Sequence, residues 1–344
     1  MKAKCLLLIF FLLTGATFAA ERGRLVRVGN LYLSPDASSA KLADVERGRE
    51  VVILETSRDW LHVEANLSEE RAVTGWMLDK GVIRASTPNG DKILYGEAVD
   101  SEDQASQRRG RRGAAQDAMR LYYAVAETFP KSPLAAEAMY RSADIRWQIE
   151  KTDVSVRPSA REREAFLREG MDEKYMKEVM KKFPGTKWAE LAAFHLIDNK
   201  LCGDWQGSSK CPEKEAGIYE KYAAEHPQSP AAPEALYDAA SRWSALIEIY
   251  KTENEGKKSD EAKGKAIALA QKIASHIRRA IGDHAPNVCC IWFGKGFQAT
   301  GIRSSRGTAV SIWHSAFSRP RLSRKPDDQM LSAKCQLPNL REER

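Results

Sequence analysis

The stretch Phe129-Pro130-Lys131-Ser132-Pro133 returns twice in altered form, as Phe183-Pro184-Gly185-Thr186 and as His226-Pro227-Gln228-Ser229-Pro230. Each first proline is followed by Ser or Thr at the second position, by Ala at the fifth and eighth, and by an aromatic residue at the tenth. Proline ends a helix because it lacks a backbone N–H and clashes with the preceding turn. Ser and Thr favour the start of the next helix as caps. The pattern therefore predicts repeated helix–turn–helix units over residues 114–278.

Each of the three proline-containing segments is called a join below. The side chains after each join indicate how the helices pack. Alanine is small enough to let two helix backbones approach closely, and the aromatic residue is expected to fill the space between helices. A further helix is predicted from Asp260 to Ile277. The residues concerned are Ala135, Ala138 and Tyr140 in the first unit, Ala189, Ala192 and Phe194 in the second, and Ala232, Ala235 and Tyr237 in the third.

The join F-P-x-S-x-x-A-x-x-A resembles that of tetratricopeptide-like helical repeats in exported proteins of the bacterial envelope. That resemblance implies a curved array whose concave face binds a protein or peptide partner. The first prolines of the joins are 54 and 43 residues apart, longer than the usual repeat of about 34 residues. Longer helices and a loop between Cys202 and Cys211 are expected to account for the difference.

Residues 25–86 have a different periodicity. Glu50–Glu55 is rich in β-branched residues, and Trp60–Glu64 alternates between apolar and polar side chains. Turn signals separate short strands, among them Ser34-Pro35-Asp36 and Arg47-Gly48. Such a series predicts a small all-β barrel or sandwich. The fold class is thus multidomain, a small β-barrel followed by an all-α repeat array.

Four pieces of this region resemble the bacterial SH3-like domain. They are N-L-Y-L-S-P at 30–35, G-x-x-V-x-I-L at 48–54, Trp60-Leu61-x-Val63, and Thr74-Gly75-Trp76-Met77. The resemblance implies binding of cell-wall material or of a peptide or protein partner. Tyr32, Trp60 and Trp76 are the candidate ligand-binding residues. The alternative is that Trp60 and Trp76 fill the core of the small barrel.

Residues 1–20 have the layout of a secretory signal peptide. A basic start at Lys2 and Lys4 precedes an apolar run over 5–13 and a segment of small residues up to Ala20. The run is about half the length that a membrane span requires. We therefore expect an exported protein, periplasmic or secreted, with no transmembrane span in its mature form.

Export changes the interpretation of the cysteines. Cys202 and Cys211 can form a disulfide in an oxidising compartment. Two buried free thiols are a second possibility. A metal site with His195 is a third, although the spacing matches no common zinc motif.

The remaining segments are polar or irregular. Residues 87–113 contain the basic run Arg108–Gly113 and predict a solvated linker. Residues 279–344 lack helical periodicity, and we interpret them either as a disordered basic arm or as a tail that is not the natural C-terminus, such as a shifted reading frame would give.

Charge and motif content restrict the function. Residues 21–276 contain 40 basic and 42 acidic side chains, whereas 277–344 contain 12 and 5. The body of the chain is therefore not basic, which removes the support for a nucleic-acid partner. We find no nucleophile elbow, zinc-protease motif, Walker loop or dinucleotide glycine pattern, so no catalytic residue, cofactor or metal is predicted.

The sequence therefore predicts an exported, non-enzymatic binding or scaffold protein of the cell envelope. In this hypothesis the SH3-like module binds peptidoglycan or peptide, and the repeats bind a protein or peptide partner. Two alternatives remain open: an accessory module of a peptidoglycan hydrolase, and a structural spacer in envelope assembly.

Overall fold

A computed structural model describes residues 21–281 except Glu69, without the side chains of 276–281. The predicted signal peptide over 1–20 and the predicted tail beyond residue 281 lie outside the described residues. The strands are β1 (Glu21–Leu25), β2 (Gly29–Tyr32), β3 (Lys41–Val45), β4 (Glu50–Ser57), β5 (Trp60–Asn66), β6 (Ala72–Leu78) and β7 (Val82–Arg84).

The seven strands form one antiparallel sheet in the order β3-β2-β6-β5-β4-β1-β7. In β5 the side chains of Leu61, Val63 and Ala65 point inward and are fully buried, while Trp60 and His62 point outward. Each of the seven strands contributes at least one residue to a single buried cluster. One face of the sheet thus surrounds its own core, while β3 and β7 remain as open edges.

Helices follow the sheet for the rest of the described chain, which confirms the predicted order of a β domain and then a helical array. They are α1 (Gly90–Ser106), α2 (Ala114–Thr128), α3 (Ala135–Ser155), α4 (Lys174–Lys182), α5 (Lys187–His195), α6 (Lys210–Glu225), α7 (Ala232–Thr252) and α8 (Gly256–Ile281). Short 3₁₀ turns occur at Pro158–Arg161, Ala165–Leu167 and Asp198–Lys200.

The prediction of a linker over 87–113 is wrong for most of its length, because α1 occupies it. Leu94, Ala98 and Ser101 recur at helical spacing and are buried against α2. Polar residues on the other face of α1 dominate the sequence pattern, so the pattern does not predict this helix. The basic run 108–113 forms the turn between α1 and α2, where Arg111 pairs with Asp117 at 2.6 Å.

The three joins have nearly the same backbone conformation. Phe129, Phe183 and His226 each end a helix, with φ between −123° and −129° and ψ between 52° and 60°. Their backbone N–H groups all donate to the carbonyl four residues earlier, in keeping with the end of an α-helix. The six alanines predicted to lie between helices are all buried, so the predicted helix contacts are confirmed.

Helix capping follows the prediction at one join. Thr186 is the N-cap of α5, and its hydroxyl accepts a hydrogen bond from the Ala189 N–H at 3.3 Å. Ser132 and Ser229 instead accept from the N–H two residues later, because each is followed by a proline and an extra turn before the helix begins.

The aromatic residues ten positions after the prolines differ in burial. Tyr140 packs on Trp188 and Phe194 packs on Tyr222, each a side chain of the following helix pair. Tyr237, in contrast, is 43% exposed, so the prediction that it fills an interhelical space is wrong. Among the described residues α8 is the last helix, and no further helix pair follows to cover this position.

The sheet packs against α2 through the turn between β3 and β4. Gly48 in this turn has φ +75°, and a Cβ there would lie 2.6 Å from the Arg120 Cβ and 2.9 Å from the Leu121 nitrogen. The Arg120 guanidinium donates to the Arg47 carbonyl at 2.8 Å, which fixes the same turn from the helix side. The sheet and α2 therefore meet at backbone distance.

An apolar cluster continues this contact beneath the turn. Val26, which follows β1, and Ile83 of β7 pack in one buried group with Leu94 of α1 and Leu121 of α2. The sheet therefore shares part of its buried core with α1 and α2.

Substitution of Gly48 tests this contact between the sheet and α2. Gly48→Ala combines a left-handed backbone, which costs about 1–2 kcal/mol, with a clash against α2 that costs about 1–3 kcal/mol more. Gly113→Ala is the matched control, because Gly113 has φ +80° with no heavy atom within 4 Å of the added Cβ. Denaturant unfolding should show a clearly larger loss of unfolding free energy for Gly48→Ala; equal losses would contradict the close contact.

Candidate functional site

An aromatic strip lies on the outer face of the sheet. It consists of Tyr32 from β2, Trp60 and His62 from β5, and Trp76 from β6. Alternation along each strand turns these side chains away from the core. The strand register then brings them together, because Trp76 lies opposite both Tyr32 and His62.

The four rings form two contacting pairs. Tyr32 and Trp60 meet edge to face with ring centroids 5.8 Å apart, and His62 stacks on Trp76 at 4.9 Å. All four side chains are half-buried, so part of each ring faces solvent. The strip thus offers a rigid aromatic surface with a phenol and an imidazole as polar groups, a composition suited to peptide contacts.

The structure brings together the three residues singled out from the sequence. Neither Trp60 nor Trp76 belongs to the buried cluster of the sheet, which is made of aliphatic side chains and Met77. The alternative that these tryptophans fill the core is therefore wrong. Sequence reasoning missed His62 as a member of the strip, because its place beside Trp76 depends on the strand register.

Cys202 and Cys211 form a disulfide, with sulfurs 2.19 Å and Cα atoms 6.0 Å apart. Of the three possibilities for this pair, the structure therefore has the disulfide. The buried carboxylate of Glu215 organises the loop, because it accepts hydrogen bonds from the Cys202 N–H at 3.0 Å and the Trp205 indole at 3.1 Å. Arg242 neutralises this carboxylate at 3.1 Å.

The disulfide loop supports a second irregular segment, the connection between α3 and α4. The Gly203 N–H donates to the Glu162 carbonyl at 3.1 Å, and Arg168 donates to the Leu201 carbonyl at 2.7 Å. The extra length of the repeats is thus placed in two loops that contact each other. Phe166 lies in the connection between α3 and α4, and its side chain is 81% exposed.

His195 is the last residue of α5, and its side chain contacts α3. Its Nε2 atom is 3.1 Å from the Tyr140 hydroxyl and 3.3 Å from an Asp144 carboxylate oxygen. Burial raises the pKa of Tyr140 well above its ordinary value, so the phenol stays protonated and acts as a hydrogen-bonding group. The cluster joins α3 and α5 through polar contacts.

Polar contacts also stabilise the third join. The Tyr222 hydroxyl contacts Ser229 at 2.7 Å and the Glu190 carbonyl at 2.8 Å. Burial raises the pKa of Tyr222 to about 12, which keeps the phenol a donor under physiological conditions. Nearby, burial raises the pKa of the Asp238 carboxyl, while Arg242 opposes that change.

Neither a metal-binding cluster nor a membrane-spanning helix occurs in the described part of the chain. Over 21–281 without Glu69, no group of three or more His, Cys, Asp or Glu side chains is arranged to hold a metal ion. Within the same part of the chain, no helix combines the length and the apolar character needed to cross a membrane.

Comparison with known proteins gives no relative: no family model, no curated protein and no solved structure matches this chain.

Removal of the disulfide should loosen both loops. The double variant Cys202→Ser/Cys211→Ser loses a cross-link over a short loop, worth about 2–3 kcal/mol of unfolding free energy. The thermal midpoint should fall, and a reducing agent should lower the wild-type midpoint to that of the variant. A wild-type midpoint that is insensitive to reductant, together with free thiols at both positions in peptide mapping, would contradict the cross-link.

Proposed function

We propose that this chain is an exported, non-enzymatic binding protein of the cell envelope, in which an SH3-like module binds peptide or peptidoglycan and tetratricopeptide-like repeats hold a protein partner. The main support is the aromatic strip, in which Tyr32, Trp60, His62 and Trp76 share one half-exposed surface. The proposal includes no catalytic step, cofactor or metal.

Three properties of the sheet support an SH3-like assignment. Its strands are short and antiparallel, they enclose one small core, and the Thr74-Gly75-Trp76-Met77 motif lies within β6. Gly75 fits this place because a Cβ there would lie 2.9 Å from the Tyr32 carbonyl oxygen. The sheet is open between β3 and β7, so the proposed module departs from a fully closed barrel.

The helical array supports a scaffold role through its regularity. Three joins with matching backbone angles connect α2 to α3, α4 to α5 and α6 to α7. Repeated helix pairs of this kind present extended surfaces to protein partners. The Cys202–Cys211 disulfide supports export, because such bonds persist mainly in oxidising compartments.

Tyr and Trp rings suit the proposed ligand for a physical reason. Each ring buries a large area on binding, yet loses little conformational freedom because only two side-chain torsions are fixed. The contacts between Tyr32 and Trp60 and between His62 and Trp76 hold the rings in place before a ligand arrives. An extended peptide laid across the strip would therefore meet a preformed surface.

Substitution of the strip tests the proposal. Trp60→Ala and Trp76→Ala in the full mature chain should each weaken co-sedimentation with purified peptidoglycan, or binding of its stem peptide, by about tenfold, the effect expected of an aromatic anchor. Phe166→Ala is the control, because it also removes an exposed aromatic ring, on a different element. The full chain is used because the sheet shares part of its core with α1 and α2.

Other results would favour other functions. Undiminished binding by both tryptophan variants would contradict the role of the strip. Release of soluble fragments from dye-labelled peptidoglycan would favour a hydrolase. No binding of either ligand by the wild type would favour the structural spacer.

A further inference from the structure

A basic cleft lies between the sheet and the helices, apart from the aromatic strip. It has a volume of about 750 Å³ and is bounded by the turn at Gly48, by α2 and α3, and by one face of α4. Seven Lys and Arg side chains line it, against two Glu. Because residues 21–276 as a whole contain slightly more acidic than basic side chains, this excess comes from their placement and not from composition.

The cations differ in whether they already have a partner. Arg24 pairs with Glu50 at 2.6 Å, and Lys177 with Glu173 at 2.7 Å. Arg146, Lys174 and Lys181 have no carboxylate partner within the described part of the chain. These three positive charges are therefore available to an anion from outside the chain.

Arg146 is held in a geometry that suits a carboxylate. Its guanidinium carbon lies 3.9 Å from the centre of the Tyr175 ring, so the ring positions the group. A stacked guanidinium keeps its N–H donors at its edge, where they can form a two-pronged contact with a carboxylate. The lysine Nζ of Lys174 lies 5.5 Å from the same ring centre, which places a second cation beside it.

The spacing of the lysines along α4 fits an extended chain. Lys174 and Lys181 are seven residues apart on one helix, a rise of about 10 Å at 1.5 Å per residue. An extended peptide in the polyproline II conformation rises about 3.1 Å per residue with three residues per turn, so side chains three residues apart lie on one face about 9 Å apart. Carboxylates at every third position of an extended segment would consequently match both lysines.

The two carboxylates in the cleft argue against a polyphosphate ligand. Glu50 and Glu178 line it together with the amide of Asn66. These groups can accept hydrogen bonds from the backbone amide N–H groups of a peptide that carries a carboxylate only at every third residue, whereas a nucleic-acid backbone has no amide N–H and is charged at every nucleotide. The C-terminal residues of this chain are not a suitable occupant, since 277–344 contain 12 basic and 5 acidic side chains.

We propose that this basic cleft binds an extended acidic segment of another protein, with carboxylates at every third residue. The inference rests on the proposed function as a protein-binding scaffold, and it names a second binding site and the chemistry of its partner.

Fluorescence anisotropy with a labelled peptide tests the proposal. The probe carries Asp at every third position, and its control carries Asn at the same positions. Lys174→Gln/Lys181→Gln should weaken binding of the Asp peptide by about tenfold at low salt, and added salt should weaken wild-type binding. Both lysines are exposed, so the variant should fold, which its circular dichroism spectrum can verify.

Two controls define the effect. Lys257→Gln/Lys263→Gln removes two exposed charges from α8, outside the cleft. This control should change the affinity for the Asp peptide less than twofold, because salt screens charges that lie far from the bound peptide. Arg146→Lys keeps the charge but loses the two-pronged contact, and should also weaken binding.

Three results would overturn the proposal: equal affinity for the Asp and Asn peptides, equal losses in the cleft and control variants, or tighter binding of a labelled single-stranded oligonucleotide at the same residues. The cleft variant should still bind peptidoglycan as the wild type does. Peptidoglycan binding therefore tests the aromatic strip, and binding of the Asp peptide tests the cleft, so either proposal can be rejected without the other.

Discussion

The contact between the turn at Gly48 and helix α2 determines how the two halves of the described chain are related. At this point the added Cβ of any other residue would lie 2.6 Å from the Arg120 Cβ, so only glycine allows the turn to approach. Arg120 then donates to the Arg47 carbonyl, and Arg47 donates to the buried Ser101 hydroxyl of α1 at 3.2 Å. The wall of the basic cleft depends on this arrangement, because the cleft is formed by sheet and helices together.

The helical region combines regular joins with irregular loops. The joins repeat one backbone conformation, which lets alanine pairs such as Ala135 and Ala138 bury completely. The extra residues beyond a short repeat are placed in the α3–α4 connection and in the disulfide loop, where they support each other through the Glu162 carbonyl and the Gly203 N–H. Buried Glu215 links this pair of loops to the array by its ion pair with Arg242.

Local patterns predicted the elements better than their contacts. Proline and alanine spacing predicted the joins because those residues act on the backbone next to them. The SH3-like resemblance singled out Tyr32, Trp60 and Trp76 as candidate ligand-binding residues. Helix α1 was missed because its segment is largely polar and only four of its residues are buried, namely Gly90, Leu94, Ala98 and Ser101. His62 in the strip, the contact of Gly48 with α2 and the charge of the cleft depend on strand register and on contacts between distant segments. No local periodicity encodes these features.

Hydrogen exchange measured by mass spectrometry at increasing denaturant tests most directly whether sheet and first helices form one body. If the shared core of Val26, Ile83 and Leu121 joins them, amides of β4–β6 and of α2 should lose protection at the same denaturant concentration, since a cooperative unit opens together. Loss of protection in α2 while the sheet remains protected, or the reverse, would show two independent modules and contradict the account.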